Sequence, residues 1–133
     1  MTTGFPFLPP AGGIFYHYTS RAAAQEMSIA GQIVPGASGV IYLTDVLYRL
    51  GWHATDHLAL PERSAEVAIA IPYADLPKDS GGLPAVEYRG VVQTVPAAPG
   101  RRALRRGGGH EWVVHQPIPL RAMPWSWTVL EAP

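Results

Sequence analysis

The sequence predicts an α+β domain with more strand than helix, and three observations carry that prediction. Gly and Pro number 14 each in 133 residues, which punctuates the chain with turns and leaves little room for long helices. Apolar residues alternate with polar or small ones over several short runs, the period-two signature of half-buried strands. A sustained helical pattern is offered by residues 21–30, between good capping residues. Hydrophobic residues make up 47% of the chain and charged residues 15%, which supplies a core and argues against intrinsic disorder. The length suits a single domain over residues 1–133, large enough for a core and too small for two.

Residues 1–13, with Pro6, Pro9, Pro10, Gly12 and Gly13, form a Pro/Gly-rich lead-in poor in backbone donors. It holds no Gly-x-Gly-x-x-Gly pattern, so a Rossmann-type dinucleotide site is not indicated. Residues 14–19, Ile-Phe-Tyr-His-Tyr-Thr, read as a strand. Alternation puts Phe15, His17 and Thr19 on one face and Ile14, Tyr16 and Tyr18 on the other. Ser20 is an N-cap for a helix over 21–30, with Ala23, Met27 and Ala30 down one side and Gly31 as its left-handed cap. Pro35 and Gly36 forbid continuation. Residues 40–44, Val-Ile-Tyr-Leu-Thr, form a second strand with Val40, Tyr42 and Thr44 opposite Ile41 and Leu43.

Residues 45–54 are expected to form a short helix capped by Asp45, with Val46, Leu50 and Trp52 packing inward. His53, Asp56 and His57 have the spacing of a metal-binding pair. With no Glu placed as a general base and Gly51 and Pro61 close by, two surface histidines in a polar turn are the expectation. Residues 62–72 read as a buried strand alternating Val67, Ile69 and Ile71 with Ala68 and Ala70, 73–84 as a loop of turn formers, and 86–95 as a further strand. Residues 96–109 are a long basic connector holding Arg101, Arg102, Arg105 and Arg106 before three glycines, and a loop of that length in so small a domain is expected to be functional. Residues 111–117, opened by Glu111, and 126–131 are the last strands.

Lys and Arg balance Asp and Glu at 10 each. The balance is uneven along the chain: residues 1–85 carry seven acids against four bases, and residues 86–133 carry three acids against six arginines. No global field steers the protein to nucleic acid or membrane, while a local basic patch remains available. There is no cysteine, which removes disulfides and thiolate ligands. The opening Met-Thr-Thr-Gly lacks a basic, then apolar, leader and no run approaches 18 apolar residues. A soluble protein is expected, cytoplasmic or delivered into a target cell without a common signal peptide.

Tyr-His-Tyr-Thr on a strand, a helix, then Gly-x-x-Tyr-Leu-Thr, with Glu-Trp-Val-Val-x-x-x-Ile-Pro near the end, resembles the NAD-dependent ADP-ribosyltransferases of the diphtheria-toxin-like class. Their signature is His, Tyr and Glu or Asp on three separate strands, and the spacing is similar to that of the small bacterial toxin branch. The resemblance implies two small antiparallel sheets packed as a split β-sandwich around an NAD cleft, with short flanking helices. It implies NAD as substrate, no metal, and a macromolecular acceptor, protein or nucleic acid, met by Arg101, Arg102, Arg105 and Arg106. A neutralising antitoxin or immunity protein is a further implied partner, and no membrane is.

By the same resemblance Glu111 is the catalytic acid, Tyr42 stacks on the nicotinamide, and the backbone of Tyr18 grips the nicotinamide amide. His17 binds a ribose hydroxyl of the adenosine half, with Thr19 beside it. Asp45 is the second candidate acid, with a helix cap as its alternative task. The implied activity is mono-ADP-ribosyl transfer; an NAD glycohydrolase and a non-catalytic nucleotide or nucleic-acid binding module are the alternatives. Read without the resemblance, His17 and Tyr42 are ordinary packing residues and Glu111 an ordinary strand-edge acid.

Overall fold

A computed structural model of the chain describes residues 13–60, 64–93, 95–96, 105–120 and 127–131. In chain order they form β1 (Ile14–Thr19), α1 (Arg21–Ala30), β2 (Gln32–Ile33), β3 (Ile41–Leu43), α2 (Gly51–His57), β4 (Val67–Pro72), β5 (Glu87–Val91), β6 (Val95–Pro96), β7 (Arg105–Arg106), β8 (His110–Val114), β9 (Ile118–Pro119) and β10 (Trp127–Val129). The class is α+β, as the composition predicts. Two three-stranded antiparallel sheets, ordered β1-β4-β10 and β3-β8-β5, are accompanied by two-stranded ladders β2-β9 and β6-β7.

The first unit follows its local signals. Ser20 Oγ accepts the Ala23 N–H at 3.1 Å, and Gly31, at φ 74°, donates its N–H to the Met27 carbonyl at 2.8 Å. These bonds satisfy groups that a bare helix end leaves without partners. The inward stripe differs from the expected one: Ala24 is fully buried and Met27 packs on the core, while Ala30 is exposed. Glu66 Oε1 accepts the Arg21 N–H at 3.0 Å, placing a carboxylate at the positive end of the α1 dipole.

Alternation then sorts the two sides of β1. Phe15 is 0% exposed and meets Trp112 of β8 edge-on, with ring centroids 5.1 Å apart. Around this pair, Ile69 and Ile71 of β4 face Ile41 and Leu43 of β3, so the inward faces of the two larger sheets share one core. On the opposite face of β1, Tyr16 and Tyr18 pack with Ala68, Leu130 and Ala54 of α2.

The helix expected over 45–54 is instead Gly51–His57, and Asp45 is not its cap. Tertiary bonds claim the backbone that such a helix would use. The Tyr18 hydroxyl donates to the Val46 carbonyl and accepts the Tyr48 N–H at 2.6 Å. Glu131 accepts the Gly51 N–H at 2.6 Å and donates to Arg49 at 3.1 Å. His53 and His57 therefore stand on a helix rather than in a turn. The long basic connector is also more ordered at its ends than a plain loop: Val95 pairs with Arg106 and Pro96 with Arg105. Among the described residues no helix is long and apolar enough to cross a membrane.

Candidate active site

The two larger sheets meet where β1 and β3 touch. Tyr16 donates to the Thr44 carbonyl at 2.7 Å and Thr44 returns the bond at 3.0 Å. In an antiparallel strand the N–H and C=O of one residue face the same edge, and those of its neighbour face the other. The Thr19 carbonyl bonds Glu66 on the β4 side, at 3.0 Å, so the backbone of His17 faces β4 too. The backbone N–H and C=O of Tyr18 share the edge of Tyr16, where the ladder with β3 does not extend past the Tyr16–Thr44 bridge.

Beside that bridge lies an open cavity of about 420 Å³, within the roughly 300–1,000 Å³ of small-molecule sites. His17, Tyr18, Tyr42 and Glu111 all line it, so β1, β3 and β8 each contribute an expected residue. Glu111 is the charged carboxylate of the described lining, which holds no lysine or arginine. Tyr42 lines the cavity and is 45% exposed.

His17 Nδ1 lies 2.9 Å from the Tyr42 carbonyl oxygen. A carbonyl only accepts, so Nδ1 carries the proton and the neutral ring presents Nε2 as an acceptor. Desolvation lowers the His17 pKa below its usual 6.5, and the bond to Tyr42 partly offsets this. The imidazole is thereby held neutral. Burial raises the Tyr18 pKa well above the usual range for a phenol, with the Tyr48 N–H as a smaller opposing influence. Its hydroxyl is accordingly a structural bridge, and the backbone is what Tyr18 offers to the edge.

Glu111 is the second residue of β8, opposite Gly90, after a bulge in β5 between Tyr88 and Gly90. Gly90 has φ 102°, a conformation that suits glycine. Partial burial raises the Glu111 carboxyl pKa above 4.5, and the charge of Arg89 pulls it back to a lesser extent. Two residues earlier, a Cβ at Gly109 would lie 2.9 Å from Leu58 Cδ2, 3.1 Å from the His57 carbonyl oxygen and 3.2 Å from the Tyr48 hydroxyl. Gly109 also donates to that His57 carbonyl at 3.0 Å, and Gly107 donates to Asp56. The glycine run thus docks the start of β8 on the end of α2.

Other expected residues lie elsewhere. Thr19 is not among the described lining residues. Asp45 is exposed and also outside the lining; its charge helps burial raise the Tyr48 pKa. The side chains of Arg105 and Arg106, and Arg101 and Arg102 altogether, fall outside the described residues. His57 stacks on Tyr48 with centroids 5.0 Å apart, and the His53 and His57 rings are 6.2 Å apart. Among the described residues no group of three or more His, Cys, Asp or Glu is placed to hold a metal ion.

The cavity also uses residues not singled out from sequence. Thr44 lines it on the face it shares with Tyr42, a sharing that the spacing of two predicts without marking Thr44 as a site residue. Leu58, Ala59 and Leu60 form a wall just beyond α2, and Val92 another. Nothing local marks these, because a tertiary approach brings them to β1. Ala59 has φ 52°, an uncommon conformation for a residue with a Cβ. No protein-family model, curated protein or solved structure matches the chain.

Proposed function

We propose that the protein is an NAD-dependent mono-ADP-ribosyltransferase of the diphtheria-toxin-like class, acting in the manner of the small bacterial toxins. The observation that supports this reading best is that His17, Tyr42 and Glu111, from three different strands, line one cavity. The fold in the proposal is a split β-sandwich, with the NAD cleft where the sheets part beside the Tyr16–Thr44 bridge.

On this reading the nicotinamide, cationic in NAD, enters a cavity whose charged group is a carboxylate and whose wall includes an exposed phenol ring. Tyr42 stacks on it and gains from cation–π attraction. The Tyr18 backbone donor and acceptor match the carboxamide, and His17 Nε2 accepts from a ribose hydroxyl of the adenosine half. Glu111 accepts a hydrogen bond from the 2′-hydroxyl of the nicotinamide ribose. The bond from ribose C1′ to the nicotinamide nitrogen breaks, its electron pair leaves with nicotinamide, and the Glu111 carboxylate stabilises the positive charge that develops on the ribose. A nucleophilic atom of the acceptor bonds to C1′ and loses its proton, with Glu111 placed to take it.

With water in the acceptor's place the same steps make an NAD glycohydrolase. A macromolecular acceptor and a neutralising partner protein belong to the proposal through the toxin resemblance. Incubating the protein with NAD and measuring nicotinamide, for wild type and Glu111→Gln, tests it. The reading predicts release by wild type and a loss of about two to four powers of ten in Glu111→Gln. Background release by both would sink it in favour of a binding module. Label from the adenylate half found on a macromolecule supports transfer, and free ADP-ribose alone supports hydrolysis.

A further inference from the structure

The β3-β8 ladder runs from Ile41 opposite Val114 to Leu43 opposite Trp112 and stops one residue short of Glu111. By strand alternation the N–H and C=O of Thr44, the next residue, face β1, where both bond Tyr16. The next bond across to β8 comes from a side chain: Thr44 Oγ1 donates to the His110 carbonyl at 2.7 Å. Thr44 is 1% exposed and lines the cavity, so water does not readily replace it in that bond.

The carbonyl it holds belongs to the peptide joining His110 to Glu111. A peptide unit is planar, so fixing its carbonyl fixes the plane from which the Glu111 Cα and side chain depart. The His110 ring is held as well, with Nδ1 2.7 Å from the Tyr88 hydroxyl. On the other edge, Glu111 is opposite Gly90 just past the β5 bulge.

We propose that Thr44 is a positioning residue that sets the Glu111 carboxylate toward the cavity by holding the His110 carbonyl; the inference rests on Glu111 being the acid of the proposed reaction. Thr44 touches β1 by its backbone and β8 by its hydroxyl, so it also fixes the acid relative to the strand that carries His17 and Tyr18. Without the hydroxyl, the start of β8 loses its tie on the β3 side and the carboxylate drifts outward. A misplacement of about 1 Å costs on the order of a hundredfold in rate.

The test compares Thr44→Val, which keeps the shape and removes the donor, with Thr44→Ser, which keeps the donor, and Thr44→Cys, of similar size and weak donor strength. Each is checked for folding by thermal unfolding, then assayed for NAD cleavage and for Glu111 titration by carboxyl NMR. Thr44→Val should lower kcat by about tenfold or more with KM for NAD within about twofold, while Thr44→Ser stays near wild type. In Thr44→Val the Glu111 titration should move back toward 4.5, and in Thr44→Ser it should stay. Wild-type kcat and titration in a folded Thr44→Val, or a fall as deep in Thr44→Ser, overturns the proposal. If Thr44→Val does not fold, Thr44→Cys is judged by the same criteria. Absence of nicotinamide release from wild type defeats the enzyme reading, while the titration still decides whether Thr44 sets the carboxylate.

Discussion

The imidazole of His17 donates its Nδ1 proton to the backbone carbonyl of Tyr42 across 2.9 Å. One bond thus fixes the tautomer of His17 and ties it to the strand of Tyr42. In His17→Asn the side-chain amide can keep the bond to Tyr42 but has no counterpart to Nε2. On the proposed reading KM for NAD should rise about tenfold or more with a smaller change in kcat, measured by initial rates.

The same residue predicts an acid-side loss of stability. The His17 pKa is lowered on folding, so the unfolded chain takes up this proton near 6.5 and the folded chain only at lower pH. Its effect is absent above 6.5, and stability falls as pH drops below it. Denaturant midpoints across that range should decline less steeply in His17→Asn than in wild type. Parallel slopes would contradict the assignment.

Glu111 has the opposite dependence. Its carboxyl pKa is raised on folding, so the folded state holds the proton more tightly and stability falls as pH rises from 4.5 through the folded value. Glu111→Gln should unfold at a higher temperature than wild type at pH 7, with the two converging near pH 4. A variant that gains stability at neutral pH while losing activity would mark a site shaped for chemistry rather than for folding.

The Tyr18 hydroxyl joins the Val46 carbonyl to the Tyr48 N–H. Tyr18→Phe leaves both groups short of that partner and should cost about 1–3 kcal/mol of stability in chemical denaturation. A loss well under ~0.5 kcal/mol would show that water takes over.

Gly109→Ala places a methyl against the His57 backbone, which has less freedom to yield than the end of Leu58. Overpacking predicts a loss of about 1–3 kcal/mol and, on the proposed reading, slower NAD cleavage, because Glu111 lies two residues further along β8. Stability close to wild type would mean that the α2 turn moves aside easily.

Signals confined to a few neighbouring residues were legible in the sequence. Ser20, Gly31 and the alternation through Phe15 and Tyr16 each act within one turn or one strand, and the structure carries them as expected. Asp45 resembles a cap and so points to a helix over 45–54, whereas the bonds that decide this segment come from Tyr18 and Glu131, far away in sequence. For the same reason the pairing of Ile33 with Ile118 and the Leu58–Leu60 wall had no local mark. His17, Tyr42 and Glu111 were individually ambiguous; the order of their flanking motifs singled them out, and the strand register brings them to one cavity.

The β6-β7 ladder pairs Val95 with Arg106 and Pro96 with Arg105, at either end of sequence positions 97–104, and Gly107 and Gly109 are pinned separately to the end of α2. A segment bracketed in this way can be lengthened, shortened or recharged while the carboxylate keeps its seat. On the proposed reading, the choice of target is free to diversify among related chains without renegotiating the bond-breaking step.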